Sequence, residues 1–322
     1  MDALLEIKEL SKYYNRKAFL SKHNSVVKAV DGIDLTVYEG ETLSIVGESG
    51  CGKSTMGRCL LRLVEPTAGQ IWFQGRDLMA LNSVKLRESR RDMQLIFQDP
   101  YASLNPRKTV KQILMEPLIV HNIGSNQERR QKVEWIIEKV GLSVEQLDRF
   151  PHEFSGGQRQ RIGIARALIL QPKLIIADEP VSALDVSIQA QILNLLQDLQ
   201  EEFKLTYMFI SHDLSVVKHI SDRVAVMYLG KIVEIADKET LYKNPQHPYT
   251  KALLSSVPVP NPSAKKEPIL LEGDLPSASN PPPGCAFHPR CPSCMDICRT
   301  QAPQMDQLDG THSVSCHLLA KN

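Results

Sequence analysis

The stretch Gly47-Glu48-Ser49-Gly50-Cys51-Gly52-Lys53-Ser54-Thr55 puts four residues between two glycines and follows the second with a lysine and a hydroxyl. That spacing is a phosphate-binding loop. The glycines let the backbone pass close to phosphate oxygens, and successive N–H groups at a helix N-terminus face one anion. Lys53 would reach the β- and γ-phosphates, and the Ser54 hydroxyl would bind Mg²⁺. A glycine-rich turn that binds nothing is the plain alternative. Asp178 and Glu179 end the apolar run Leu174-Ile175-Ile176-Ala177. Paired acids at the end of a buried strand are costly unless they hold something. Asp178 would position Mg²⁺ through its water shell and Glu179 would polarise an attacking water. A solvated strand end is the alternative there.

Other residues could join that chemistry. Ser155-Gly156-Gly157-Gln158 directly precedes a helical run, Arg159 to Leu170, so a hydroxyl, flexible amides and a helix N-terminus converge. Gln98 follows the short apolar run Leu95-Ile96-Phe97, and Pro100 breaks it. His212 follows the apolar strand Tyr207–Ile210. A lone histidine after a strand is usually structural. Here it falls where the C-terminal ends of parallel strands meet a nucleotide. Tyr13 and Tyr14 lie just after the first strand. Either could stack on an adenine ring, and an ordinary strand-end tyrosine is the simpler reading of the residues alone.

The elements that must position these groups follow from periodicity. Residues 4–10 alternate apolar and polar as a half-buried strand, and 28–40 read as another strand ending in a turn. Residues 15–27 are polar and basic, an expected exposed hairpin loop. Leu43–Val46 is the strand before the phosphate loop. Ser54–Val64 is the helix after it, stopped by Glu65-Pro66. Residues 69–75 form a strand entering a turn. Residues 110–149 are mostly helical, with breaks expected at Pro117 and Gly124. Ile188, Ile192, Leu195, Leu196, Leu199 and Phe203 repeat at helical spacing as a core face behind Ser182-Ala183-Leu184-Asp185. Residues 223–235 form a strand pair turning at Gly230-Lys231.

Composition removes several function classes. The 322 residues carry 38 Lys plus Arg against 37 Asp plus Glu, a net charge of +1, with no basic surplus for nucleic acid. Apolar content of 42% is enough for an ordinary core. The start, Met1-Asp2-Ala3-Leu4-Leu5-Glu6, is acidic where a signal peptide is basic, and no apolar run approaches a bilayer span. The chain is therefore expected to be soluble in the cytosol, so any membrane process it serves needs another polypeptide to do the spanning.

The order of the motifs is more specific than any one of them. Phosphate loop, Gln98, Ser-Gly-Gly-Gln, Asp178-Glu179, Ser-Ala-Leu-Asp and His212 occur in a sequence that resembles the nucleotide-binding subunit of ATP-binding cassette transporters, over about residues 4–245. The resemblance implies an α/β phosphate-loop ATPase with a RecA-like core, an antiparallel β subdomain and a helical subdomain at about 100–170. It implies catalytic roles for Glu179, His212 and Gln98, with Gln98 touching Mg²⁺ and sensing the γ-phosphate. It makes Tyr14 the adenine-stacking aromatic. Ser155, Gly156, Gly157 and Gln158 become the signature that closes on ATP held by an opposing subunit, with Asp185 crossing that interface. Two such domains sandwich two ATP molecules head to tail. Phe154 stands where leucine is commoner in the signature, an apolar exchange of little expected effect.

Gln98-Asp99-Pro100-Tyr101-Ala102-Ser103-Leu104-Asn105-Pro106-Arg107 and His247-Pro248-Tyr249-Thr250-Lys251-Ala252-Leu253-Leu254 are similar to the ATPase subunits of bacterial oligopeptide and dipeptide importers, most of all to the second, F-type subunit of a heterodimeric pair. The implied partners are a homologous ATPase subunit, two transmembrane permease subunits and an extracellular or periplasmic substrate-binding protein, with no nucleic acid. The implied location is peripheral, on the cytoplasmic face of the cell membrane, with residues 99–110 facing the permease. Importers of nickel or other small solutes share the family. A soluble cassette ATPase of translation or repair usually has two cassettes or long coiled coils, and this chain has one cassette and no sustained heptads.

From about residue 255 the composition changes. Pro258, Pro260, Pro262, Pro268, Pro276 and Pro281 to Pro283 mark an extended linker, so residues 4–250 and 251–322 are expected as cassette and tail. Cys285, Cys291, Cys294, Cys298 and Cys316 then follow with five, two, three and seventeen residues between them. Spacing alone does not separate zinc from an iron–sulfur cluster, and five cysteines leave one unpaired in any disulfide scheme. The stretch Gly284–Cys291, with Cys298 and Cys316-His317, resembles the C-terminal extension of peptide-importer ATPases. That resemblance implies a [4Fe–4S] cluster on Cys285, Cys291, Cys298 and Cys316, with Cys294 outside the pattern and zinc as the alternative metal.

Overall fold

A computed structural model describes residues 2–16, 25–257 and 268–319. Most of the expected loop at 15–27, and the linker prolines Pro258, Pro260 and Pro262, lie outside the described residues. The chain divides into two compact units, Met1–Met79 with Ser211–Asn322, and Ala80–Ile210.

The first unit holds an antiparallel sheet in the order Ser25–Tyr38, Ala3–Arg16, Ala68–Phe73, Arg76–Asp77. Ile7 pairs with Leu35 on one side and Ile71 on the other. All three are buried, as the alternation of residues 4–10 requires. In the same unit Thr42–Val46 runs parallel to Arg223–Tyr228 and is buried throughout, the mark of a strand covered on both faces. Arg223–Tyr228 turns through Leu229-Gly230 into Lys231–Asp237. The tail, expected as a segment of its own, belongs to this unit. Its short strand Ser313–Val314 pairs with Ile235 and Glu234. Glu234, fully buried, accepts from the Gln246 and His247 N–H groups and from His312 of the tail at 2.7, 2.9 and 2.8 Å.

The second unit carries the parallel strands Met93–Ile96, Leu174–Asp178 and Thr206–Ser211, the last ending at the division. Its helices include Val110–Val120, Asn126–Lys139, Gly156–Leu168 and Val186–Phe203. Ile192, Leu196 and Leu199 of the last are buried as the periodicity demands, while Ile188 and Leu195 are half-buried.

Two expected breaks fall elsewhere. The helix after the phosphate loop ends at Leu60, well before Glu65-Pro66, because Arg62 turns left-handed at φ 48°. Its guanidinium then bonds the Leu78 carbonyl and Glu65. Pro117 sits inside Val110–Val120 without ending it. A proline there gives up one backbone bond. The buried Ile113, Leu114 and Leu118 on either side of it hold the helix to the core regardless.

Candidate functional site

In the first unit the phosphate loop joins Thr42–Val46 to the helix Lys53–Leu60. Gly47 and Gly52 are obligatory for space, and Gly50 for conformation. A Cβ on Gly47 would lie 2.1 Å from the Met227 carbonyl oxygen, and one on Gly52 1.9 Å from that of Ala29, where φ is 111°. Gly50 adopts φ 81°. Lys53 is only 4% exposed. Its Nζ donates to the Gly47 and Glu48 carbonyls at 2.7 and 3.0 Å, so reaching a phosphate means exchanging bonds to its own loop. The Cys51 thiol is buried in that loop, and burial pushes its pKa up. Ser49, Ser54 and Thr55 complete the loop and the first turn of the helix.

The same unit holds Tyr14 and His212. Tyr14 is exposed in its strand, paired with Val27, and the Lys12 Nζ lies 5.0 Å from its ring centre. His212 is exposed between two fixed neighbours. Asp213 caps the helix Leu214–Ile220 by accepting from the Ser215 N–H at 2.8 Å, and its own N–H donates to Ser211 Oγ at 3.0 Å. A cleft of about 1300 Å³ elsewhere in this unit is lined by Lys8, Asp34, Thr36, Glu41 and Arg223 and by none of the expected ATP residues.

In the second unit Gln98 and Glu179 meet, the amide Nε2 donating to the carboxylate at 2.9 Å. Asp178 is 3% exposed at the end of its strand. Glu179 takes φ 47°, a left-handed conformation that costs a non-glycine residue free energy. Its N–H donates to the Ile210 carbonyl at 3.0 Å, and its own carbonyl accepts from the Ser182 N–H and hydroxyl. Sequence reading found these residues by type; nothing in a glutamate's propensity marks the strained turn.

The signature differs in one detail from its expected chemistry. The Ser155 hydroxyl accepts from the Gln158 N–H while the Gln158 side chain accepts from the Ser155 N–H, a reciprocal cap on the helix Gly156–Leu168. Gly157 is small because Ile188 is there: a Cβ would lie 2.5 Å from its Cγ2. Asp185 is exposed at the N-terminus of Val186–Phe203 without a side-chain cap bond. In the expected permease-facing stretch, Tyr101 is 64% exposed with the Arg159 guanidinium 3.6 Å from its ring centre.

In the tail, the Cys285 N–H donates to the Cys298 carbonyl at 2.8 Å. Burial raises the Cys285 thiol to about 11, with the charges of Cys298, Cys316 and Cys291 adding to it. Cys291 is raised in the same way, by burial and then by Cys316, Cys294 and Cys298 among its neighbours. The four expected cysteines are thus neighbours. Among the described residues, however, no group of three or more His, Cys, Asp or Glu side chains is arranged to hold a metal ion, so neither the expected [4Fe–4S] cluster nor the zinc alternative finds a ready site.

Known proteins resemble this chain over most of its length. The ABC transporter family model matches residues 30–182, and the model described as "Oligopeptide/dipeptide transporter, C-terminal region" matches 233–298. The oligopeptide transport ATP-binding protein AppF of Bacillus subtilis is 58% identical, over 98% of this chain and 98% of that protein. The protein named "Probable peptide ABC transporter ATP-binding protein y4tS" of Sinorhizobium fredii is 53% identical over 99% of this chain and 91% of its own length. Among solved structures, the dimeric ATP-binding cassette MJ0796 bound to ADP and Pi superposes with a TM-score of 0.65 at 31% identity, covering 73% of this chain and 98% of that one. With a phosphate loop, a strand-end Asp-Glu pair and relatives this similar from end to end, the chain belongs to the ABC transporter family, among its oligopeptide transport ATP-binding proteins.

Proposed function

We propose that this ATPase powers peptide import, binding ATP between its own phosphate loop and the signature of a second, homologous subunit. The observation that carries the reading is the phosphate loop itself, with Gly47 and Gly52 pressed against neighbouring carbonyls and Lys53 buried beneath them. Lys53 binds the β- and γ-phosphates, and Ser54, Gln98 and Asp178 would hold Mg²⁺, which would offset the phosphate charge. Glu179 takes the proton of the attacking water as its oxygen bonds the γ-phosphorus and the bond to ADP breaks. Gln98 is bonded to Glu179 and would be one of the groups holding the metal, and His212 contacts the γ-phosphate. Tyr14 stacks on the adenine. Ser155–Gln158 and Asp185 complete the partner's site. The partners are a second ATPase subunit forming a heterodimer, two permease subunits that receive residues 99–110, and a substrate-binding protein. The chain sits on the cytoplasmic face of the membrane; no helix among its described residues is long and apolar enough to cross.

In the assembled transporter, Lys53→Ala is expected to abolish ATP binding and peptide uptake together. Uptake that persists would remove the chain from the transport cycle, and co-purified nickel- or other solute-binding subunits would change the substrate.

The tail reading is that Cys285, Cys291, Cys298 and Cys316 hold a [4Fe–4S] cluster as a structural clamp. The mutual proximity of these thiols supports it. Purification without oxygen should give about four irons per chain and broad absorption near 400 nm. One zinc without colour, or free thiols with no metal, would overturn the cluster and leave the ATPase reading intact.

A further inference from the structure

The tail reaches the phosphate loop directly. Arg290, one residue before Cys291, donates through Nη1 to both carboxylate oxygens of Glu48, at 3.1 and 2.9 Å. Glu48 is the second residue of the loop. The side chains are 10% and 26% exposed, so water screens the pair only in part. The Glu48 N–H is engaged as well, donating to the Tyr249 hydroxyl at 2.9 Å. Tyr249 is fully buried and packs edge-on against Tyr228, with ring centres 4.7 Å apart. Phe287 of the tail closes this aromatic group, 5.3 Å from Tyr228 and 5.4 Å from Tyr249, and is 1% exposed. Two residues past Tyr228, the Gly230 N–H donates to the Cys51 carbonyl at 2.9 Å. The N–H and side chain of Glu48 and the carbonyl of Cys51 are therefore all tied to groups outside the loop.

We propose that Arg290, with Phe287 beside it, is a positioning residue for the phosphate loop: the turn that presents both fixes the path on which Gly50 to Lys53 meet ATP. This rests on residues 47–55 being the ATP phosphate site. A loop held in its binding shape before ATP arrives spends less ordering entropy on binding. Freeing Glu48 should therefore weaken ATP binding while leaving the hydrolytic step, which uses Glu179 and water, nearly untouched.

The test uses the full-length chain, titrated at equilibrium with a fluorescent ATP analogue and Mg²⁺, and the assembled transporter for turnover. Arg290→Ala should raise the Kd about tenfold, the value of one charge-assisted contact, with Arg290→Lys between it and the unaltered chain. In a Glu48→Gln background the same substitution should add less than about twofold, because the partner is already gone. Turnover at saturating ATP should change less than about twofold. A Kd within twofold of the unaltered chain, or equal losses in both backgrounds, would overturn the proposal. If Arg290→Ala does not fold, Arg290→Lys and Glu48→Gln carry the same comparison. Lys53→Ala separates the two levels: ATP retained there refutes the phosphate site itself, whereas ATP lost there with Arg290→Ala unaffected refutes only the positioning role.

Discussion

Glu179 shows how far a single residue can depart from what its type prefers. Its φ of 47° is left-handed, and the Ile210 carbonyl and Ser182 hold the flanking peptides so that the carboxylate meets Gln98. A strained residue is kept only where the surroundings over-determine it. His247 departs in its protonation. It is 1% exposed, its Nδ1 accepts the Tyr249 N–H at 3.1 Å, and its backbone N–H donates to Glu234. Phe287 faces its ring at 5.6 Å. Burial first and the Lys251 charge second lower its pKa from 6.5 to about 4. Between those values the unfolded chain takes up a proton that the folded chain refuses. The stabilisation is fully present above pH 6.5 and is lost as pH falls towards 4, by on the order of 3 kcal/mol. His247→Asn keeps an acceptor for the Tyr249 N–H but does not titrate. Urea unfolding across pH 4 to 7 should show a shallower acid slope for the variant, and parallel slopes would count against this assignment.

The packing between elements accounts for a residue that function alone would not explain. Gly157 is the second residue of the helix Gly156–Leu168, and the space its side chain would fill is occupied by Ile188 of Val186–Phe203. Gly157→Ala should therefore destabilise the fold by about 1–3 kcal/mol, as overpacking does. Adding Ile188→Ala should cost less than the sum of the two single changes; strict additivity in denaturant melts would show that the contact is not what demands glycine.

Elements with local causes were legible before the structure. Leu174–Asp178 is apolar up to its two acids, and the strand ends there. The helix after Ser155 begins where serine and Gln158 can cap each other. What stayed hidden has distant causes. Arg62 turns left-handed with no glycine or proline to announce it, and Pro117 is overruled by buried neighbours. The pairing of Val314 with Glu234, and of Arg290 with Glu48, joins residues far apart in sequence, which no local pattern encodes.

Across the molecule, the tail is bound to the ATP-binding unit by strand pairing, a buried carboxylate and an ion pair on the phosphate loop. Removing it is therefore a different experiment from trimming a linker. The residues proposed for catalysis fall in both units, the phosphate loop and His212 in one and Gln98, Asp178 and Glu179 in the other. The claim on which the functional reading depends is that Glu179 is the base for ATP hydrolysis. The most direct measurement is ATP binding and turnover by the assembled transporter carrying Glu179→Gln in this chain and in its ATPase partner's equivalent position. ATP binding should persist and turnover should fall by on the order of 10² to 10⁴, the usual effect of losing a general base. Near-normal turnover would contradict the assignment and move the base elsewhere.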